Sequence, residues 1–179
     1  MQTEPNLTLP FSSSLGGFLL ERSSRGLTRC QILPAEAASI APSSSAAQED
    51  PLLQQAMAEL QAYLTGSLKR FTVPLDLSGL SPFQQKVLTQ VQLIPWGKLQ
   101  TYAQVAAQIG QPQAQRAVGG ALAHNPLLLF IPCHRVVSSG GQLGGFSAPQ
   151  GIALKAWLLT HEGRSIINNR RVVYFKSED

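Results

Sequence analysis

Between residues 81 and 123 the chain carries three helix starts and two helix stops, and this punctuation constrains the fold more than any other feature of its 179 residues. Ser81-Pro82-Phe83-Gln84 is a capping box with proline at the first helical position, where the missing N–H has no intrahelical partner to lose. Phe83, Val87, Leu88 and Val91 follow at helical spacing and define an inward face. Ile94-Pro95-Trp96-Gly97 is a turn. Thr101-Tyr102-Ala103-Gln104 is a second capping box, whose helix turns Val105, Ala106 and Ile109 inward before Gly110 ends it. After a Gln111-Pro112 turn, residues 113–123 form a third helix. The last two helices, short and tightly joined, make a helix-turn-helix candidate, a pattern that many helical domains contain.

The third helix divides into two stripes. Ala114, Ala117, Val118, Ala121 and Leu122 are apolar and suit a core. Arg116, Gly119, Gly120 and Ala123 lie opposite. Each helical glycine costs about 1 kcal/mol against alanine, so two in succession need a reason. Close packing on a neighbouring helix is one. Close approach of a partner backbone is the other, and a smooth face with one cation suits a minor groove.

Upstream the text is sparser. Residues 16–20 and 27–33 read as short strands around a Ser23-Ser24-Arg25-Gly26 turn. Residues 35–50 are rich in Ala and Ser and read as a loose connection. Asp50-Pro51 opens a helix with Leu53, Met57, Leu60 and Leu64 on one face, stopped by Gly66. Residues 73–77 suit either a strand or a crossing linker. The expected division is a variable α/β domain at 1–77, a mainly helical, winged-helix-like domain at 78–165, and a tail at 166–179. The fold class is therefore α+β.

Apolar residues make up 44% of the chain and charged residues 13%, enough for a buried core. No apolar run approaches the roughly 20 residues of a membrane span, and the start lacks a signal-peptide pattern, so a cytoplasmic protein without membrane contact is expected. The net charge of +4 suits a polyanion without demanding one. Two cysteines, Cys30 and Cys133, and three histidines show no metal-ligand spacing, and neither a metal nor a cofactor is expected.

Residues 127–131 form an apolar run, read as a strand or extended segment, that leads into Pro132-Cys133-His134-Arg135. A lone cysteine in an apolar context is usually a small core residue. Beside a histidine it is a better nucleophile candidate, because the thiolate reacts and an imidazole can take the proton. Neighbouring side chains of an extended chain point apart, so the pair cooperates only across a bend or through a water. Glu162, in the last turn of a helix over 152–161, faces the negative end of the helix dipole, which is unfavourable by a few tenths of a kcal/mol or more. A solvated surface role is its simplest reading; orienting His134 is the alternative.

Seven blocks in order resemble the O6-alkylguanine-DNA alkyltransferase family. They are Ile94-Pro95-Trp96-Gly97, Thr101-Tyr102-Ala103-Gln104-Val105-Ala106, Arg116-Ala117-Val118-Gly119-Gly120-Ala121, Asn125-Pro126, Ile131-Pro132-Cys133-His134-Arg135-Val136-Val137, Gly144-Gly145-Phe146-Ser147, and the run from Lys155 through Trp157, His161 and Glu162 to Gly163. The resemblance is strong over 81–163 and holds only in outline before that.

It implies that Cys133 is the alkyl acceptor, that His134 draws off the thiol proton through a water, and that Glu162 orients His134. Asn125 becomes the hinge between recognition helix and active-site strand. Tyr102 donates to the guanine ring and crowds a backbone phosphate, and Arg116 fills the hole left by a flipped nucleotide, with Gly119, Gly120 and Ala123 beside it. Val136, Ser147, Leu128 and Phe146 belong to the substrate pocket, with the carbonyls of Cys133 and Val136 and the amide near Ser147 reading the flipped base edge. The implied partner is double-stranded DNA containing O6-alkylguanine, bound through the minor groove by a monomer, with O4-alkylthymine as a second substrate. The product is a thioether, so each molecule reacts once.

Two departures from the family stand out: Leu128 and Phe130 replace proline or smaller aliphatics, and Ala148-Pro149-Gln150-Gly151 replaces a commoner Gly-Gly segment. A non-catalytic alkyltransferase-like sensor would carry another residue at Cys133. A cysteine hydrolase leaves Tyr102, Arg116 and the twin glycines unexplained, and a transcriptional regulator would have a more basic recognition helix.

Overall fold

The computed structural model describes residues 7–33, 44–167 and 171–172. They fall into two compact units, one from residues 1–81 with 126–131, the other from residues 82–125 with 132–179. The expected boundary near residue 77 ignored the excursion of 126–131 into the first unit.

The first unit is a three-stranded antiparallel sheet, β1 (Leu7–Ser13), β2 (Gly16–Ser23) and β3 (Gly26–Ile32), in that order. Period-two alternation drives it: Leu9 and Phe11, Phe18 and Leu20, and Cys30 and Ile32 are buried. β1 is an addition to the sequence reading. Pro10 argues against a strand, yet proline is tolerated at an edge, and β1 is an edge strand paired through Pro10 and Leu19. The short helix α1 (Ser45–Glu49) forms where a loose connection was expected, capped by Ser44; residues 35–43 of that expectation lie outside the described residues. Helix α2 (Pro51–Leu64) is as expected. Asp50 accepts from the Leu53 amide at 2.9 Å and pairs with Arg22 at 2.5 Å, and Leu53, Ala56, Leu60 and Tyr63 are fully buried.

Residues 127–131 do not form a strand. Leu127 and Leu128 make isolated bridges, Leu129 takes a left-handed φ of 72°, and the Ile131 amide returns to the Leu127 carbonyl at 2.9 Å. All five side chains are nonetheless buried: the start of the turn bonds to Cys30 of β3, and its far end closes back on Leu127.

The second unit packs α3 (Pro82–Gln92), α4 (Tyr102–Gln108) and α5 (Gln115–Ala123) around Val87, Leu88, Val91, Val105, Ala106, Val118, Ala121 and Leu122. The Thr101–Gln104 capping box is present in both directions, at 3.1 and 2.7 Å. Helix α5 starts two residues later than read, since its cap, Ala114, has no side chain to offer the free amides. Ala117, assigned to the core stripe, is consequently exposed in the first turn. A two-residue parallel ladder joins β4 (Gln100–Thr101) to β5 (Val136–Val137). It matters for function: β4 runs straight into Tyr102, and β5 follows the Cys133–Arg135 turn. Helix α6 (Gly151–His161) completes the unit. The tail, for which only a surface strand or loose end was expected, pairs β6 (Ile166–Ile167) with β7 (Arg171–Val172) and buries Val172.

Candidate active site

Cys133 opens a single 3-10 turn, Cys133–Arg135, entered through Pro132. This bend removes the obstacle that an extended chain would impose on the Cys133–His134 pair. Cys133 is 5% exposed, and its sulfur accepts from the Asn125 amide nitrogen at 3.3 Å. Burial raises its pKa, so the resting group is a thiol, while the Asn125 hydrogen bond and the charge of Lys155 pull the other way.

His134 is fully buried, and its Nε2–H donates to Glu162 Oε1 at 2.9 Å. That bond fixes the tautomer and leaves Nδ1 as the basic nitrogen. Burial lowers the His134 pKa despite the carboxylate, so the ring is neutral at pH 7 and able to accept a proton. Glu162 is not a solvated surface group. It caps α6, is 4% exposed, and accepts from His134, from Arg135 Nε and Nη2 (2.7 Å to the latter), and from the Gly97 amide at 3.1 Å. Burial alone would raise its pKa, but the hydrogen bonds and charges of His134 and Arg135 outweigh this and hold it well below the usual carboxylate range. Gly97 sits at φ +68°, and a Cβ there would meet the Glu162 carbonyl at 2.9 Å, so the Ile94–Gly97 turn admits glycine only.

Two residues of the site escaped the sequence reading of roles. Arg135 grips Glu162 with one edge and donates to the Ile94 carbonyl at 2.5 Å with the other, tying the turn to the carboxylate. Lys155 is 1% exposed, donates to the Val136 carbonyl at 2.6 Å, and has its pKa lowered to about 8 by burial. A lysine and an arginine inside matching blocks look like surface charges until burial is known. With His134 neutral, Arg135 and Lys155 against Glu162 leave one net positive charge around Cys133, which favours the thiolate as it forms.

In front of Cys133 lies a cavity of about 360 Å³ lined by Tyr102, Gly119, Leu122, Ala123, Cys133, Gly145, Phe146 and Ser147. That volume suits a small planar ligand such as a nucleobase. Phe146 and Ser147 are where the sequence placed them. Leu128 is not among the lining residues: it belongs to the first unit, its amide bonded to Cys30 O, because the 127–131 turn folds with β3. The side chain of Val136 is buried and does not line the cavity either; its carbonyl is held by Lys155 and keeps a second lone pair. Burial, and then the Cys133 charge, raise the Tyr102 pKa, so its hydroxyl is protonated and can donate.

Of the α5 stripe, a Cβ on Gly119 would reach ordinary contact with the Tyr102 ring, while a Cβ on Gly120 would meet nothing within 4 Å. Helix packing therefore does not account for Gly120, and Arg116 and Ala123 are exposed beside it. His161 stacks on Trp157 and edges against Trp96. Cys30 is 1% exposed in the sheet core, and burial pushes its thiol far above the normal range.

With a base-sized cavity beside a helix-turn-helix and a cysteine at its wall, the second unit has the features of a domain that accepts a group from DNA. Residues 82–164 match the 6-O-methylguanine DNA methyltransferase DNA binding domain, and residues 10–77 match the ribonuclease-like domain of the same family. The methylated-DNA–protein-cysteine methyltransferase of Methanosarcina acetivorans is 36% identical over 153 residues, 86% of this chain and 96% of that one. The constitutive enzyme of that name from Bacillus subtilis is 43% identical over 115 residues, 64% of this chain and 68% of the other. The crystal structure of Mycobacterium tuberculosis OGT in complex with DNA superposes with a TM-score of 0.72 at 35% identity, covering 86% of this chain and 90% of that one. The chain belongs to the methylated-DNA–protein-cysteine methyltransferase family.

Proposed function

We propose that this protein repairs DNA by moving an alkyl group from guanine O6 to Cys133 Sγ, once per molecule. The observation that carries the reading is the placement of Cys133 at the cavity wall, with the Asn125 amide on its sulfur and the His134–Glu162 pair behind it.

The duplex is held by α5 through its minor groove. Gly119, Gly120 and Ala123 let the backbone approach, and Arg116 takes the place of the flipped nucleotide. Flipping is required because the O6 substituent is out of reach inside a base stack. In the cavity the thiol proton passes through a water to His134 Nδ1, and the sulfur attacks the alkyl carbon in line. The carbon–O6 bond breaks and its electron pair goes to the guanine ring. The Tyr102 hydroxyl donates to that ring as charge develops, and the proton gained by His134 restores neutrality. The net change is S–H and O6–alkyl to S–alkyl and guanine. A thioether has no easy leaving group for water, so the protein is spent.

The same cavity has room for the smaller ring of O4-alkylthymine. One chain carries every group in this scheme, so a monomer suffices, working in the cytoplasm or wherever its DNA lies. The test is nucleoside analysis of a duplex with one O6-methylguanine after incubation with the protein. Unmodified guanine should appear, and Cys133→Ser should bind the duplex and leave the lesion intact. Free methanol or an excised base in place of guanine would refute a transfer to protein.

A further inference from the structure

Beyond the family match at 164, Ile166–Ile167 pairs with Arg171–Val172, a pairing that the scheme above does not use, and the contacts of β7 point to one place. The Val172 amide donates to the Gly141 carbonyl at 2.9 Å. Arg171 Nε donates to the Gly140 carbonyl at 2.8 Å, and Arg171 bridges Gln142. The Val172 side chain is 2% exposed and packs with Val137, Leu143, Ala156 and Leu159. The turn it grips is itself closed by Ser138 N to Gln142 O and Gly141 N to Ser138 O, at 2.9 and 2.8 Å. Three residues further on, that same segment becomes the cavity wall at Gly145, Phe146 and Ser147.

Gly144 sits at φ +69° with the Tyr102 hydroxyl 3.1 Å from where its Cβ would be, and around Gly145 a Cβ would meet nothing within 4 Å. On the far side the chain passes through Ala148, whose carbonyl accepts from the Gly151 amide at 2.8 Å, into α6. The near anchor, between the β5 ladder and Leu143, is where β7 binds.

From this we infer that Arg171 and Val172 are positioning residues for the alkyl-acceptor pocket: by stapling the Ser138–Gln142 turn they fix the 144–147 wall over Cys133. The inference rests on the proposed function. Its consequence is unequal for different substrates. A flipped base in duplex DNA is also located by its own backbone on α5. A free O6-benzylguanine base has only the pocket. Misplacing a reacting group by about 1 Å can cost on the order of 100-fold in rate, so a slack wall penalises the free base most.

The experiment compares full-length wild type, Val172→Ala, Val172→Ile and Arg171→Ala, with second-order rates on a methylated duplex and on free O6-benzylguanine. Val172→Ala should slow the free base about tenfold or more and the duplex no more than about threefold, with Val172→Ile restoring the ratio. Arg171→Ala removes one exposed hydrogen bond and cannot unfold the unit; it should move the ratio the same way by about twofold to threefold. Hydrogen exchange at the 145–147 amides should quicken in both alanine variants, while that of α5 stays as in wild type. An active wild type whose benzyl-to-methyl ratio is untouched by these changes overturns the inference alone. A wild type that reacts with neither substrate overturns the functional reading and this inference with it.

Discussion

Replacing Arg135 with methionine removes the cation that balances Glu162 and keeps a similar volume. Arg135 supplies Glu162 with contacts from Nε and Nη2 at 2.7 to 3.1 Å, and the Ile94 carbonyl with another at 2.5 Å. After the change, His134 and the Gly97 amide still donate to Glu162. Breaking a buried pair by removing one partner costs about 3–5 kcal/mol, a large share of the roughly 5–15 kcal/mol that holds a domain together. The pH dependence has a definite sign. Glu162 has a lowered folded pKa, so its contribution is full above the unfolded carboxylate value of about 4.3 and fades as pH falls below it. Without Arg135 the lowering is smaller, so the gap between wild type and Arg135→Met is widest at neutral pH and narrows in acid. Urea unfolding followed by Trp96 and Trp157 fluorescence at pH 7.5 and pH 4 measures it. The variant also loses the positive charge that helps to lower the His134 pKa, so the acid limb of its pH–rate profile moves to higher pH. A gap below about 1 kcal/mol at pH 7.5, or one that widens in acid, refutes the reasoning.

Arg116→Ala should slow repair of duplex by about 10- to 100-fold, the equivalent of the 1.4–2.8 kcal/mol by which an inserted side chain offsets unstacking. Free base should react as before, and equal losses on both substrates would show that Arg116 does not act in flipping. Asn125→Ala takes a donor from the forming thiolate; hydrogen bonds to charged groups are worth about 1.5–3 kcal/mol, so transfer should slow by about 10-fold or more in single-turnover assays. Unchanged transfer would remove Asn125 from the chemistry. Gly144→Ala forces a Cβ into a left-handed site beside Tyr102 and should cost about 1–2 kcal/mol in thermal unfolding, with a larger loss of activity than of stability. Raising salt from 50 to 200 mM should weaken duplex binding without altering the free-base rate, because phosphate contacts carry the affinity.

The helical half was legible because its stops and starts are local chemistry. Thr101 and Gln104 cap each other within four residues, and Gly110 follows the last turn, so neither needs tertiary context. Strand β1 was hidden by Pro10, whose tolerance depends on being at an edge, which no single strand reveals. The run at 127–131 misled for a related reason. Five consecutive apolar residues satisfy a buried strand and a buried turn equally, and the choice is made by β3, about a hundred residues earlier. Cys133, His134 and Glu162 were readable through their sequence blocks. Arg135 and Lys155 were not assigned roles, since the difference between a surface cation and a buried one is the presence of Glu162 or the Val136 carbonyl in space. Leu128 was assigned to the pocket by the family resemblance, whereas the 127–131 turn that carries it folds with β3.

The most direct test of the central claim is the stoichiometry of transfer. Protein is mixed with a several-fold excess of duplex containing O6-methylguanine, and its intact mass and peptide map are followed with time. The account predicts a burst of one methyl per molecule and then nothing, a gain of roughly 14 Da for one CH₂, on the peptide that carries Cys133. Turnover beyond one equivalent, or a methyl group found on Cys30, would contradict it.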